Sequence, residues 1–290
     1  MISIQRGIPI SFTQWSKKIY GFIRFIRPEI IILGIVCVYI GALAGGSKFF
    51  SIDLLLGMLA IFFISAGCHP LNDYFDYEID KVNHPKRPLP SGVFKPLSGL
   101  YMGIILLVIS LILSLLINIY CFAINCIGIV LILLYELYLK NKGIFGNILV
   151  AFSVSLTFLY GGAIVFNYLK PLFFSFVAFF IFFGREIIMD VRDFEGDKKT
   201  RITLPSILGK KWTIYLGSAM VVTSLVLLFL PFFNESYNIW YGLITIFLVL
   251  FTTYTLSLSL FDLKNVGKTT EMLRVSMIIG LLLFIIASSL

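Results

Sequence analysis

Apolar positions along the chain are grouped into nine long runs, most of which are separated by short segments that contain proline, glycine or charged residues. Each run is about 18–23 residues long, the length that a helix needs to cross the hydrocarbon core of a membrane. Backbone groups inside that core must be satisfied within the segment itself, so the runs predict helices. The nine runs are 29–46, 54–71, 97–118, 119–138, 144–166, 172–189, 212–230, 239–260 and 271–290.

The composition agrees with a chain whose main solvent is lipid. Hydrophobic residues make up 59% of the 290 positions and charged residues only 13%, whereas a soluble domain is about 25% charged. These figures exclude a soluble enzyme, a secreted disulfide-linked scaffold and a disordered protein. The predicted fold is therefore an all-α membrane protein, in which residues 1–290 form a single domain of nine transmembrane helices.

The basic residues indicate how this bundle is oriented. If the N-terminus is cytoplasmic, 21 of the 23 lysines and arginines fall on the cytoplasmic side, and only Lys48 and Lys170 fall outside. The positive-inside rule then predicts an external C-terminus in a multi-pass protein of the cell membrane. Residues ahead of the first run predict a basic, amphipathic lead-in and not a signal peptide. The net charge of +8 implies anionic lipid as a partner, and implies neither nucleic acid nor a protein partner.

Nine of the fifteen acidic residues lie in two short windows, at the cytoplasmic ends of the second and sixth runs. In each window three aspartates recur at i, i+3 and i+7, which places them on one face if the helix continues through the third. One such window is also typical of a solvated helix end, but two with the same spacing favour a functional site. Carboxylate oxygens suit Mg²⁺, whereas two histidines are too few for a histidine metal site. The aspartates are Asp73, Asp76, Asp80, Asp190, Asp193 and Asp197.

The first window, NDYFDYEID at 72–80, resembles the NDxxDxxxD signature of the UbiA superfamily of intramembrane prenyltransferases. The second window, DVRDFEGD at 190–197, is similar to the second aspartate motif of that superfamily. The flanking segments at 80–92 and 185–205 are most similar to those of the archaeal digeranylgeranylglyceryl phosphate synthases, although chlorophyll synthases have a related RPxPSG loop. The resemblance covers the whole chain, because the number of helices and the basic loops also agree with it.

The resemblance implies a Mg²⁺-dependent transfer of a geranylgeranyl group from geranylgeranyl diphosphate to the free hydroxyl of geranylgeranylglyceryl phosphate. This reaction forms the second ether bond of archaeal membrane lipid. The resemblance also implies a central cavity for the prenyl chain and an active site at the cytoplasmic face. Prenylation of an aromatic acceptor in quinone or pigment synthesis stays open as the alternative. A Mg²⁺ channel or transporter is disfavoured, because the centres of the runs carry almost no charge.

Each candidate residue has a role in such a reaction. The six aspartates bind Mg²⁺ and act in catalysis, Tyr135 shields an allylic cation from water, and Asn72 orients a carboxylate or donates to a phosphate. The general base is either an aspartate or the departing diphosphate. The candidates for binding the diphosphate are Arg87, Lys140, Lys198 and Arg201, and those for binding the acceptor phosphate are Arg24, Arg27 and Lys142.

Overall fold

The computed structural model of the protein describes residues 12–47, 50–197, 202–230 and 239–289. Within these ranges the regular elements are helices, and one isolated β-bridge joins Lys142 to Ile202. In chain order the elements are α1 (Phe12–Ile26), α2 (Pro28–Ala44), α3 (Ile52–Phe75), α4 (Tyr77–Asn83), α5 (Pro96–Ile117), α6 (Ile119–Leu134), a π-helical turn (Tyr135–Leu139), α7 (Ile144–Ile164), α8 (Leu169–Asp197), α9 (Leu204–Leu208), α10 (Lys210–Leu227), α11 (Ile239–Phe261), a 3₁₀ turn (Leu263–Asn265) and α12 (Val266–Ser289).

Each of the nine predicted runs coincides with a long helix, from α2 for the first run to α12 for the ninth. Six of the described helices are long and apolar enough to cross a membrane, and α1 and α2 together form a seventh candidate span that is bent by 43°. Helix α1 precedes the first predicted run and corresponds to the expected lead-in, with Lys18, Tyr20 and Ile23 exposed. The prediction of an all-helical membrane protein is therefore confirmed for the described part of the chain.

The boundary between the third and fourth runs is a single residue, Asn118. Its backbone is extended, with φ −171° and ψ 168°, which ends α5 and allows α6 to start in a new direction. The Asn118 side chain accepts a hydrogen bond from the amide of Cys121 and so caps α6. Its Nδ2 also donates to the carbonyl of Ala163 at 3.0 Å, which ties this corner to α7.

Glycines allow three helix pairs of the bundle to approach closely, as small residues do in membrane proteins. On α2 and α7, a Cβ added at Gly41 would collide with the carbonyl of Phe158, and one at Gly161 with the carbonyl of Val38. The α3–α5 pair and the α8–α10 pair have similar contacts at Gly103 and Gly217, where an added Cβ would lie 3.0 and 2.8 Å from the facing glycine carbonyl. These crossings fix the positions of α3 and α8, which carry the two aspartate motifs.

Replacing Gly161 by alanine is expected to force α2 and α7 apart, because the new methyl group overlaps backbone that cannot rotate away. We expect a loss of about 1–3 kcal/mol in the free energy of unfolding, measured as a lower melting temperature in detergent. Gly267→Ala is the matched control, because nothing lies within 4 Å of its added Cβ. Equal melting temperatures for the two variants would contradict this description of the α2–α7 contact.

Candidate active site

The first aspartate motif lies where α3 ends. Pro70 lies within α3, and the helix stops at Phe75 because Asp76 leaves helical geometry, with φ −88° and ψ 3°. The chain then resumes as α4. The helix is therefore interrupted at Asp76, and it does not continue through the third aspartate as expected. The three side chains are nevertheless buried together, with Asp73 1%, Asp76 9% and Asp80 2% exposed.

Two arginines from outside the motif neutralise its first and last carboxylates. The Nη2 of Arg27 donates to Asp73 Oδ1 at 2.6 Å. Arg27 lies between α1 and α2 and has a left-handed backbone conformation, with φ 53°. The Nη1 of Arg87 donates to Asp80 Oδ2 at 2.5 Å and lies 3.4 Å from Asp73 Oδ1. The motif is thus held to the α1–α2 corner and to the loop that follows α4.

The middle carboxylate is held by the π-helical turn. The ammonium of Lys140 donates to Asp76 Oδ2 at 2.6 Å and to Glu136 Oε2 at 2.9 Å. Asn72 Nδ2 donates to the other oxygen of Glu136 at 2.6 Å, so this asparagine orients a carboxylate that is only 5% exposed. The ring of Tyr135 lies next to the same lysine, with the Nζ of Lys140 5.7 Å from the ring centroid.

Helix α8 contains the whole second motif without a break, so its three aspartates have the expected helical spacing. Asn147 at the start of α7 donates to Asp190 Oδ2 at 2.9 Å. Asp193 is more exposed and receives two hydrogen bonds from the neighbouring Arg192, at 2.7 and 2.8 Å. Asp197 is the last residue of α8. Asp190 therefore faces α7, whereas Asp193 is held on its own helix.

The beginning of α7 connects the surroundings of the two motifs. A Cβ added at Gly146 would lie 3.0 Å from the carbonyl of Leu139 and 3.5 Å from the ring of Tyr135, so α7 packs directly on the π-helical turn. The next residue, Asn147, contacts Asp190 on α8. The turn that holds the first motif and the helix that holds the second are thus both packed against α7.

A cavity of about 330 Å³ opens beside the first motif. Three arginines, Arg24, Arg27 and Arg87, line its wall, and guanidinium groups bind phosphate oxygens through paired hydrogen bonds. Two predicted acceptor-binding residues thus share the cavity with one predicted diphosphate-binding residue. The complete lining consists of Ile23, Arg24, Arg27, Pro28, Glu29, Asp73, Arg87 and Pro88.

Lys140 and Lys142, the other predicted phosphate ligands that the structure describes, do not line this cavity. Lys142 is exposed, and its backbone forms the isolated bridge with Ile202, so it lies between the loops before α7 and before α9. Lys198 and Arg201 lie outside the described residues. The structure therefore groups Arg24 and Arg27 with Arg87, and it separates Lys142 from them.

Two residues of the site were not predicted from the sequence, namely Glu136 and Asn147. A local signal exists for Glu136, because an acid and a base at i and i+4 are unusual at the end of an apolar run. Asn147 has no comparable signal, since a single asparagine near a helix start is typical of surface loops.

The donor chemistry of the two motifs fits Mg²⁺. Their side chains offer carboxylate oxygens, which are the ligands that Mg²⁺ prefers. Among the described residues, no three acidic, histidine or cysteine side chains lie close enough to hold one ion by themselves. Mg²⁺ commonly binds through one or two carboxylates together with substrate phosphates, so the donor set is compatible with this mode.

Comparison with known proteins identifies the family of this chain. Residues 34–282 match the sequence model of the UbiA prenyltransferase family. Two relatives named digeranylgeranylglyceryl phosphate synthase come from Methanosphaera stadtmanae and Methanocaldococcus jannaschii, and they are 30% and 33% identical to this chain. These alignments cover 91% and 94% of this chain, and 97% and 98% of the relatives.

Solved structures share the fold over nearly the whole chain. One that is described as a digeranylgeranylglyceryl phosphate synthase in membranes has a TM-score of 0.81 at 32% identity, and the alignment covers 93% of this chain and 98% of that one. A UbiA homologue from Archaeoglobus fulgidus bound to DMAPP and Mg²⁺ has a TM-score of 0.71 at 18% identity, with 91% and 99% covered, which shows the fold alone. The chain therefore belongs to the UbiA prenyltransferase family.

Proposed function

We propose that the protein transfers a geranylgeranyl group from geranylgeranyl diphosphate to the free hydroxyl of geranylgeranylglyceryl phosphate, forming the second ether bond of an archaeal membrane lipid. The observation that carries this proposal is the cavity lined by Arg24, Arg27 and Arg87, directly beside the first aspartate motif. One substrate brings a diphosphate and the other a phosphate, so the site needs two neighbouring places for anions. The names of the relatives, which are similar over more than nine tenths of the chain, support the same choice.

The carboxylates of both motifs are the proposed Mg²⁺ ligands. Bound Mg²⁺ supplies charge neutralisation, which makes the diphosphate a better leaving group. Asn72 holds Glu136 in place beside Lys140, and Asn147 holds Asp190, so the chain itself orients carboxylates in each half of the site. The proposed ligands are Asp73, Asp76, Asp80, Asp190, Asp193 and Asp197.

Basic residues near the first motif are the proposed diphosphate ligands. Arg87 and Lys140 already lie against Asp80 and Asp76, so a diphosphate that approaches these carboxylates meets both cations. Such groups stabilise the negative charge that grows on the departing oxygen. Lys198 and Arg201 remain proposed ligands as well, and Lys142 remains a proposed contact for the acceptor phosphate.

The reaction breaks the bond between C1 of the prenyl chain and the diphosphate oxygen, and the electron pair leaves with the diphosphate. The hydroxyl oxygen of the acceptor then donates a lone pair to C1 and forms the ether, while its proton passes to an aspartate or to the diphosphate. Water must be excluded from the allylic cation. Tyr135, whose ring lies next to Lys140, is the proposed aromatic wall for this purpose.

The proposed arrangement in the membrane has nine transmembrane helices, a cytoplasmic N-terminus and an external C-terminus. Nine long helices coincide with the predicted runs, and the basic residues lie almost entirely on one side of that arrangement. The active site then lies at the cytoplasmic face, and the prenyl chain extends from it into a central cavity of the bundle. The six aspartates, at the junction of α3 and α4 and at the end of α8, fall on that same face.

The acceptor is tested with the purified protein, Mg²⁺ and labelled geranylgeranyl diphosphate. We expect an ether product with geranylgeranylglyceryl phosphate and none with an aromatic acid such as 4-hydroxybenzoate, as the names of the relatives indicate. Product formation is followed by chromatography of the labelled lipid. Prenylation of the aromatic acid alone would assign the protein to quinone or pigment synthesis instead.

Asp190→Asn is expected to lower the turnover number at least 100-fold, because the substitution removes a charge from the proposed metal and diphosphate site. The melting temperature should stay close to that of the wild type, since Asn147 can still hydrogen-bond to the new amide. Asp53→Asn, in the first turn of α3 at its opposite end, makes the same chemical change as a control and should leave turnover unchanged. Near wild-type turnover in Asp190→Asn would exclude the proposed metal role.

Arg24→Gln is expected to raise the KM for the acceptor about tenfold or more, because it removes one of three guanidinium groups from the cavity. The KM for geranylgeranyl diphosphate should change less than twofold. Lys18→Gln on the same helix is the control, because Lys18 is exposed and does not line the cavity. If the KM for the diphosphate rises instead, the cavity binds the donor and the acceptor lies elsewhere.

A further inference from the structure

A buried histidine lies beneath the first aspartate motif and has no role in the reaction described so far. His69 is on α3, four residues before Asp73, and only 8% of it is exposed. Its Nε2 is buried and has no hydrogen-bond partner among the described residues. A buried polar atom without a partner costs about 1–3 kcal/mol, so its retention calls for a ligand or another reason.

The position of His69 relates it to the arginine-lined cavity. Residues four apart lie on the same face of a helix and are separated by about 6 Å along its axis. His69 is thus one turn deeper in the bundle than Asp73, which lines the cavity. Arg27 and Arg87 also line it, and their guanidinium groups lie 2.6 and 3.4 Å from Asp73 Oδ1.

The backbone next to His69 adds a second polar group at this depth. Pro70 has no amide hydrogen, so it cannot provide the helical hydrogen bond that the carbonyl of Ala66 would otherwise accept. One face of α3 therefore carries a polar patch that consists of Asp73, His69 and the carbonyl of Ala66.

The charges around this patch restrict what can bind to His69. A cationic group is repelled by Arg27 and Arg87, and an anionic group is held by those arginines at the level of Asp73. A neutral hydroxyl is left as the group that can pair with the imidazole. In a glycerol phosphate the hydroxyl lies a short carbon chain away from the phosphate, which is comparable with one helical turn.

We propose that His69 binds the free hydroxyl of the acceptor, with Nε2 accepting its O–H, while the acceptor phosphate lies against the arginines of the cavity. This hydrogen bond would aim the lone pairs of the hydroxyl oxygen at C1 of the prenyl group. The inference rests on the proposed function and adds the residue that selects and orients the nucleophile. The residue next to it, Cys68, lies at the same depth, and its thiol donates to the carbonyl of Ser65.

The experiment compares His69→Leu with His69→Gln, because the Gln side-chain amide reaches the position of Nε2 whereas Leu fills the space without a polar group. For His69→Leu we expect the KM for geranylgeranylglyceryl phosphate to rise about tenfold, with the KM for geranylgeranyl diphosphate unchanged. More of the labelled donor should then appear as free geranylgeraniol, because water replaces a poorly oriented hydroxyl. His69→Gln should stay within about threefold of the wild type.

Three controls make the result decisive. Cys68→Ala should leave both KM values unchanged, and the melting temperature of each variant shows whether the fold is kept. An unchanged acceptor KM in a folded His69→Leu would overturn the inference, and so would equal losses in the Leu and Gln variants accompanied by equal losses of melting temperature. If the wild type itself forms no ether from the lipid phosphate, the proposed function is overturned, and this is seen before any variant is compared.

Discussion

The structure depends on the neutralisation of three buried carboxylates at the junction of α3 and α4. Asp73, Asp76 and Asp80 are at most 9% exposed, and a buried carboxylate without a cation is too costly to keep. Each therefore meets a base at 2.5 or 2.6 Å. Those bases come from three separate parts of the chain, so the requirement for neutral charge determines how these parts are arranged around the motif.

This requirement also explains the irregular backbone near the site. Arg27 has a left-handed backbone at the bend between α1 and α2, a conformation that costs about 1–3 kcal/mol for residues other than glycine. The π-helical turn is a second irregularity, and it lies in the segment that carries Glu136 and Lys140. Such turns occur frequently at functional sites. In the proposed reaction the same bases meet phosphate oxygens, so the irregular backbone serves both stability and substrate binding.

Much of the fold and the chemical class of the site could be predicted from the sequence. Apolar runs of this length form helices in lipid, whichever neighbouring helices they pack against, and all nine runs coincide with helices. The two aspartate motifs were visible because helical spacing is a local property. The helix break at Asp76 was not, because neither glycine nor proline stands at that position to mark it.

Contacts between distant residues could not be predicted. Arg27 and Asp73 are 46 positions apart, Asn72 and Glu136 are 64 apart, and Asn147 and Asp190 are 43 apart. The spacing of residues along a helix relates only positions within one or two turns of each other. It therefore identifies candidate bases without showing which carboxylates they pair with. The same limit explains why Arg87 and Arg24, which were predicted to bind different phosphates, line one cavity.

In the proposed reaction the two aspartate motifs together bind one metal-bound diphosphate. The most direct test is calorimetric titration of the protein with a thiolodiphosphate analogue of the prenyl donor, which binds without reacting, in the presence and absence of Mn²⁺. We expect binding that requires Mn²⁺ and that is lost equally in Asp76→Asn, from the first motif, and in Asp190→Asn, from the second. Binding that is independent of Mn²⁺, or that depends on only one of the two motifs, would contradict it.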